Sequence, residues 1–498
     1  MTYDPAVIHD AIIIGGGPAG LISAHALSKA GSSVLVLEAD PRYLGGISRT
    51  EEHEGFLFDI GGHRFFSKSK EVNELWQEIL PHDFIERPRK SRILYDGKLY
   101  PYPLKVSATL SNLGWIEAGK CFASYLKSAA TPVRHPRSFA EWTTNQFGKR
   151  LYEMFFKTYT EKVWGIPCAE ISADWAAQRI QGLSMLKLIR ETIAPKGAEI
   201  GAKTLIQSFR YPRKGPGMFW NACADLVRGR GGRIELGQRV SSCRFDAKEG
   251  LWEVQTLDAL KTPQTYRARN IVSSAPLREL VQMLSPAVSA ETLQAAKALK
   301  YRDFLTVVLM VEGEPEFDDQ WVYIHDPGVR VGRIQNFKSW SPEMVPRAGV
   351  ACYGLEYFCF EGDALWTSSN ADLIETAKKE FRSLGLVHGP SFVGAHVVRQ
   401  PKAYPVYDDD YRKNVSKIRH ELENDFPTLH LAGRNGMHKY NNQDHSMMTA
   451  LICARNILAG KRALDPWKVN SDAIYHEEET SEDRESPGSG LRSVPERL

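Results

Sequence analysis

Gly15, Gly17 and Gly20 follow the aliphatic run Ala11-Ile-Ile-Ile14, and a second aliphatic run, Ser33 to Leu37, ends on Glu38. Residues of these types at this spacing hold a pyrophosphate and a ribose. The glycines let the chain turn tightly and approach the phosphates, and a carboxylate about 20 residues on accepts hydrogen bonds from ribose hydroxyls. The segment Leu44-Gly45-Gly46-Ile-Ser48-Arg49-Thr50 adds two glycines for close backbone passage and a guanidinium fork, Arg49, for the same pyrophosphate. This second element selects FAD over NAD. Far along the chain, Leu429-His-Leu-Ala-Gly433-Arg434 and Gln443-Asp-His-Ser446 place a strand end and a helix start where flavin or phosphate binds. Pro88-Arg-Lys-Ser-Arg92 and Arg210-Tyr-Pro-Arg-Lys214 read either as solvated faces or as a pocket for an anionic substrate.

These residues need particular elements to position them. The four aliphatic residues before Gly15 predict a buried parallel strand, and Pro18 to Ala30 a helix with its N-terminal amides toward the phosphate. Gly55-Phe-Leu-Phe-Asp59 reads as a strand running into Gly61-Gly62-His63. From Asn112 to Ile206 the pattern is mainly helical, periodic in Trp115 to Leu126 and Phe139 to Tyr159. A helix to Val227 and strands around Gly231 to Val240, Phe245 to Gln255 and Thr265 to Ser273 return to the first sheet. Strands Phe304 to Val311 and Val350 to Tyr357, with a helix Ala371 to Leu384, predict a second sheet, and an apolar helix runs from Gln443 to Leu458.

The chain has 498 residues, 43% hydrophobic and 25% charged, enough for two or three lobes. No apolar run approaches the ~18 residues that span a bilayer, so the expectation is a cytoplasmic protein without a transmembrane segment. Basic and acidic residues number 63 and 60, for a net charge of +3, which argues against a nucleic-acid partner. Seven cysteines without a CxxC pair point to neither a metal site nor a disulfide framework. His445-Ser446 reads as a helix start rather than a nucleophilic pair.

Several further marks occur in order: Gly61-Gly62-His63, Tyr102-Pro103, Lys162-Val-Trp164 with Pro167, Trp175 with Arg179, Phe209-Arg-Tyr-Pro212, Trp321-Val-Tyr323, Arg333, Ser341-Pro342, and Gly433-Arg434 through Tyr440 to Asn442-Gln-Asp-His-Ser446. With them the chain, from Ala11 to about Gly460, resembles the flavin amine oxidase and protoporphyrinogen oxidase-like superfamily, and within it the UDP-galactopyranose mutases. The resemblance implies interconversion of pyranose and furanose forms of a nucleotide-linked sugar, in polysaccharide or glycoconjugate synthesis. N5 of FAD, reduced by NAD(P)H, would attack the anomeric carbon. Arg179 and Arg333 would clamp the diphosphate, and His63 would lie beside the flavin. Tyr102, Tyr323, Tyr404 and Tyr440 would line the sugar and phosphates, with Trp164 and Trp321 shaping the pocket. Gly61, Gly62, Val240, Gly433, Arg434, Asp444, His445 and Ser446 would join Gly15, Gly17, Gly20, Glu38, Gly46 and Arg49 around the cofactor.

The chain mixes two branches of that family. Trp340 stands where the eukaryotic mutases have tyrosine, and Leu104-Lys105 where they carry Phe-Gln, whereas the spacing from Gly433-Arg434 to Asp444 is bacterial, with His438 replacing an aromatic. The competing reading is a flavin oxidoreductase acting on a nucleotide- or prenyl-linked sugar or an amine; a non-catalytic flavin binder would leave the pocket residues without a purpose. The expected fold is α/β. It comprises a discontinuous Rossmann-like FAD-binding domain (1–90, 207–290 and 415–465), a mainly helical lobe (91–206), a mixed-sheet substrate domain (291–414) and a disordered tail (466–498). A homo-oligomer is one option the residues leave open.

Overall fold

The computed structural model describes residues 7–102, 109, 112–173, 204–469 and 478–479. Pro103, Leu104, Lys105, Trp175 and Arg179 lie outside the described residues.

β1 (Ile8–Ile14) is the strand before the glycines. It is flanked by β2 (Val34–Leu37) and by Pro263–Ser273, both parallel, with Ala11 opposite Val34 and Ile14 opposite Leu37. Ile12, Ile13, Leu35 and Val36 are fully buried because helices and strands cover both faces, each contributing roughly 1.5–3 kcal/mol. The crossover helix α1 (Pro18–Lys29) packs in one core with the helices Pro216–Gly229 and Gln443–Leu458. Arg233–Glu235 and Leu429–Leu431 extend the sheet in parallel, and Leu251–Leu257 and Arg239–Asp246 add an antiparallel wing. Between Glu235 and Arg239 the expected single strand is broken in two. Gly237, at φ +70°, turns the chain there.

The second sheet has seven strands built on Tyr301–Glu312, which is antiparallel to Val350–Cys359 and to Phe392–Pro405. The first two are almost wholly buried, which fits their continuous apolar sequence. Arg333–Asn336 and Trp321–Ile324 follow, and Trp321–Ile324 pairs in parallel with Ser91–Tyr95. Here the helical lobe expected from residue 91 is corrected. Its first stretch, Ser91–Tyr95 and Lys98–Pro101, forms an antiparallel hairpin at the edge of the second sheet. The helices proper are Trp115–Ala130, Phe139–Phe147 and a run from 149 to 164 that widens to a π-turn at Glu153–Lys157.

The expected disorder from 466 is also corrected. Pro466–Lys468 forms a turn capped by Asp465, and Val469 is buried in the first core. Lys439 holds this strap, its ammonium donating to the carbonyls of Trp467 at 2.8 Å and Val469 at 2.5 Å. All seven cysteines are buried and unbridged. Among the described residues no helix is long and apolar enough to cross a membrane, and no His, Cys, Asp and Glu cluster could hold a metal ion.

Candidate functional site

Gly15 has φ +97°, and a Cβ on Gly20 would sit 1.8 Å from the Gly15 carbonyl, so the turn from β1 into α1 has no room for a side chain. No side chain caps α1, whose N-cap is Gly17. The Glu38 carboxylate accepts from the Gly16 amide at 2.5 Å and the Asp40 amide at 2.7 Å, which joins the acid to the glycine loop. Burial raises its pKa, opposed by those amide bonds. Gly46 packs close over Gly17, and Gly45 donates to the Gly16 carbonyl at 2.8 Å. Beside Gly45, the Trp220 indole nitrogen is buried and has no hydrogen-bond partner among the described residues. An uncapped helix start, a side-chain-free turn and an unused buried donor fit a dinucleotide.

Arg49 departs from the expectation of an open fork. Its Nε donates to Glu51 at 2.8 Å, Nη2 lies 2.7 Å from the same carboxylate, and Nη1 donates to the Gly46 carbonyl at 3.0 Å and to Gln400. It therefore braces the cofactor loop from behind. The Val240 side chain packs in the cluster that holds Ile14 and Leu37.

A cavity of about 160 Å³ opens between the two sheets, lined by Gly61, Gly62, His63, Arg64, Trp321, Tyr323, Arg333, Tyr404, Arg434, Tyr440 and the helix start Asn442-Gln443-Asp444. His63 is held by its Nε2, which sits 2.9 Å from the carbonyls of both Ile47 and Ile60. Two acceptors require Nε2 to carry the proton. Burial lowers its pKa to about 4, so the ring is neutral near pH 7. Gly62 admits no side chain, because a Cβ there would lie 2.0 Å from the Trp321 ring.

Arg333 forms a buried ion pair with Glu356 through Nε and donates from Nη2 to the Tyr404 hydroxyl at 3.3 Å, and among the described residues Nη1 has no hydrogen-bond partner. Gln335 completes the anchor, donating to Glu356 at 2.7 Å. Arg434 donates to the Asn441 carbonyl at 2.9 Å and the Ala403 carbonyl at 3.1 Å, and lies over the rings of Tyr404 and Tyr440. Those two tyrosines stack with centroids 5.6 Å apart. Ser67 donates to Asp444 at 2.9 Å, Gln443 donates to the Arg64 carbonyl at 2.9 Å, and His445 Nδ1 accepts from the Asn442 amide at 3.3 Å in a capping box. Ser446 is buried, and its carbonyl accepts from Thr449, whose oxygen in turn accepts from the Gly433 amide. His445 and Ser446 thus shape the helix start.

The structure brings together His63, Arg333, Trp321, Tyr323, Tyr404, Tyr440, Arg434 and Asp444 from segments up to several hundred residues apart. Tyr102 and Trp164 stand one layer back, packed against Tyr323 at 4.8 Å and Tyr440 at 6.3 Å. The two basic clusters do not form the pocket. Arg89 lies over the Tyr102 ring, Lys90 pairs with Asp318, Arg92 pairs with Asp319, Arg213 pairs with Asp83 and Glu343, and Arg210 lies over Trp76 and Phe84. Sequence reasoning missed Arg64, stacked 4.1 Å over the Trp321 ring, and Glu356. The signal for Glu356 was a lone carboxylate inside a ten-residue buried strand.

The glycine loop, the two-sheet architecture and the cavity between the sheets define a flavin-dependent enzyme fold. The family model for flavin containing amine oxidoreductases matches residues 18–458, and the chain belongs to that family, which implies a flavin cofactor. A crystal structure of reduced UDP-galactopyranose mutase superposes with a TM-score of 0.79 at 22% identity, covering 94% of this chain and 97% of that one. A chloroplastic protoporphyrinogen oxidase of Nicotiana tabacum is 24% identical over 331 residues, 58% of this chain and 57% of its own length. A probable UDP-galactopyranose mutase of Klebsiella pneumoniae is 24% identical over 172 residues, 33% of this chain and 43% of its own. The chain spans about half the length of the curated relatives it matches. At these identities the likeness establishes the fold.

Proposed function

We propose that this flavoenzyme interconverts pyranose and furanose forms of a UDP-galactose-like nucleotide sugar. The observation that carries the reading is the charge of the cavity wall. Arg64, Arg333 and Arg434 line it against Asp444 and a Glu356 that Arg333 already engages. An ammonium substrate would be repelled there, and a diphosphate attracted. Arg333, fixed by Glu356 and offering Nη1, is suited to hold a diphosphate that must leave the anomeric carbon and return without diffusing away. Arg179 is the proposed second arm of that clamp. Tyr404, Tyr440 and Tyr323 offer hydroxyls to sugar and phosphate, and Trp321 closes the wall beside Gly62. Reduced flavin, when bound, supplies N5 as the nucleophile, with NAD(P)H as the proposed electron source. His63 keeps a neutral ring next to it, and the N-terminal amides of Gln443–Leu458 face the same cavity as positive dipole ends.

The test is to incubate dithionite-reduced enzyme anaerobically with UDP-galactopyranose and follow the sugar by NMR. The reading expects the furanose form, with no stoichiometric acceptor consumed. Arg333→Lys, which loses the fork, should weaken UDP binding roughly 10- to 100-fold in calorimetry. Sugar left unchanged by the reduced enzyme, together with an oxidised sugar formed by the FAD-oxidised enzyme as one equivalent of an added acceptor is reduced, would select the oxidoreductase instead.

A further inference from the structure

Among the described residues the large apolar side chains left exposed concentrate in one place. Trp115, Ile116, Phe122 and Leu126 are 90%, 79%, 48% and 52% exposed, all on the helix Trp115–Ala130, and Val133 follows at 44%. The helix buries Ala118, Cys121 and Tyr125 against the protein. At 100° per residue, Trp115, Gly119, Phe122 and Leu126 fall in one outward line, with Ile116 and Ala123 at its side. A surface helix of a monomeric protein normally shows the reverse pattern. Lys120 and Lys127 border the stripe on one flank. Residues 115–150 hold six Lys and Arg and only two acids, so their charge of +4 exceeds the +3 of the whole chain. Both acids are engaged, Glu117 by Arg150 and Lys120, and Glu141 by the backbone amides of Arg137 and Ser138.

We propose that the helix Trp115–Ala130 lies in the interface of an anionic lipid bilayer, its apolar stripe among the acyl chains and its lysines at the headgroups. The charge decides between occupants. A second copy of this chain would bring the same net-basic stretch against itself, whereas an anionic leaflet complements the lysines that border the stripe. An aromatic residue at the helix start and lysines on its flank are the arrangement by which an in-plane helix meets the headgroup layer.

Flotation of the full chain with vesicles of phosphatidylcholine, with and without phosphatidylglycerol, tests this. The protein should rise with the phosphatidylglycerol vesicles, more weakly at high salt. The triple variant Trp115→Ser, Phe122→Ser, Leu126→Ser should stay at the bottom while keeping its circular dichroism, with at most a small fall in Tm, because Trp115 is almost fully exposed and Phe122 and Leu126 are about half exposed. Lys120→Gln with Lys127→Gln should lower partitioning roughly 30-fold. A wild-type protein that ignores both vesicles, or a triple variant that floats as well as wild type, overturns the proposal. So does a lipid-free dimer in sedimentation that the triple variant dissolves, since a second copy would then cover the stripe.

Discussion

His63 shows how a single residue is set by its surroundings rather than by its own chemistry. A histidine free in solution would be partly charged near neutrality, but this one is buried and pinned by two carbonyls. It should therefore contribute no limb to the pH–activity profile between about pH 5 and about pH 8, since burial lowers its pKa to about 4. Removing the donor leaves the Ile47 and Ile60 carbonyls unpaired. His63→Ala should cost roughly 1–3 kcal/mol in urea unfolding, and His63→Gln, whose amide can replace Nε2–H, should recover much of it. Equal midpoints for the two variants would show that the carbonyl pairing does not hold the loop. The motif Gly61-Gly62-His63 was visible in the sequence, but which ring nitrogen carries the proton depends on Ile47 and Ile60, and only the fold brings them into place.

At the scale of elements, Asp59 joins three pieces of the cofactor domain. It ends the strand Phe56–Asp59, accepts from Thr50 at 2.8 Å and from Tyr211, and Thr50 in turn accepts from the Gly217 amide at the start of Pro216–Gly229. Burial, against the bonds from Tyr211 and Thr50, raises its pKa from 3.8 to about 7. The folded state thus holds a proton that the unfolded chain has lost. The stability this confers is complete below the unfolded pKa and is lost as pH rises through about 7. Wild-type Tm should fall from about pH 5 to about pH 8, and Asp59→Asn should flatten that dependence in calorimetric scans. Parallel slopes for the two proteins would assign the pH dependence to other groups. The strand before Asp59 was readable from its alternating apolar residues. Its partner Tyr211 was visible only as part of a basic, aromatic cluster, because nothing local shows that Phe84–Pro88 pairs with Ser208–Pro212.

For the molecule as a whole, the cavity depends on the ties that hold the two sheets together. Lys402 from the second sheet pairs with Glu279 of the first unit at 2.9 Å, and Asn435 donates to the Lys402 carbonyl at 2.8 Å. A ligand that bridges the cavity walls should stabilise the entire chain. At about 100 times its Kd, UDP should add about 2.7 kcal/mol and raise Tm by a few degrees, whereas putrescine, a dication, should leave it unchanged. A rise with putrescine and none with UDP would turn the proposed function toward amines.

The sequence by itself determined the dinucleotide half of this protein. A glycine turn, the strand before it and the acid after it are neighbours along the chain, and their chemistry depends on backbone geometry that glycine alone permits. It also carried the aromatic and arginine marks of the second half, as residue types in order. The tertiary structure decided which of those residues share a cavity and which merely support it. Tyr102 and Trp164 pack behind Tyr323 and Tyr440, Arg64 lines the cavity, and Glu356 anchors Arg333 beneath its wall. Long-range pairings such as Trp321–Ile324 with Ser91–Tyr95 set that division, and burial, which no local spacing encodes, fixed the charge state of what they brought together.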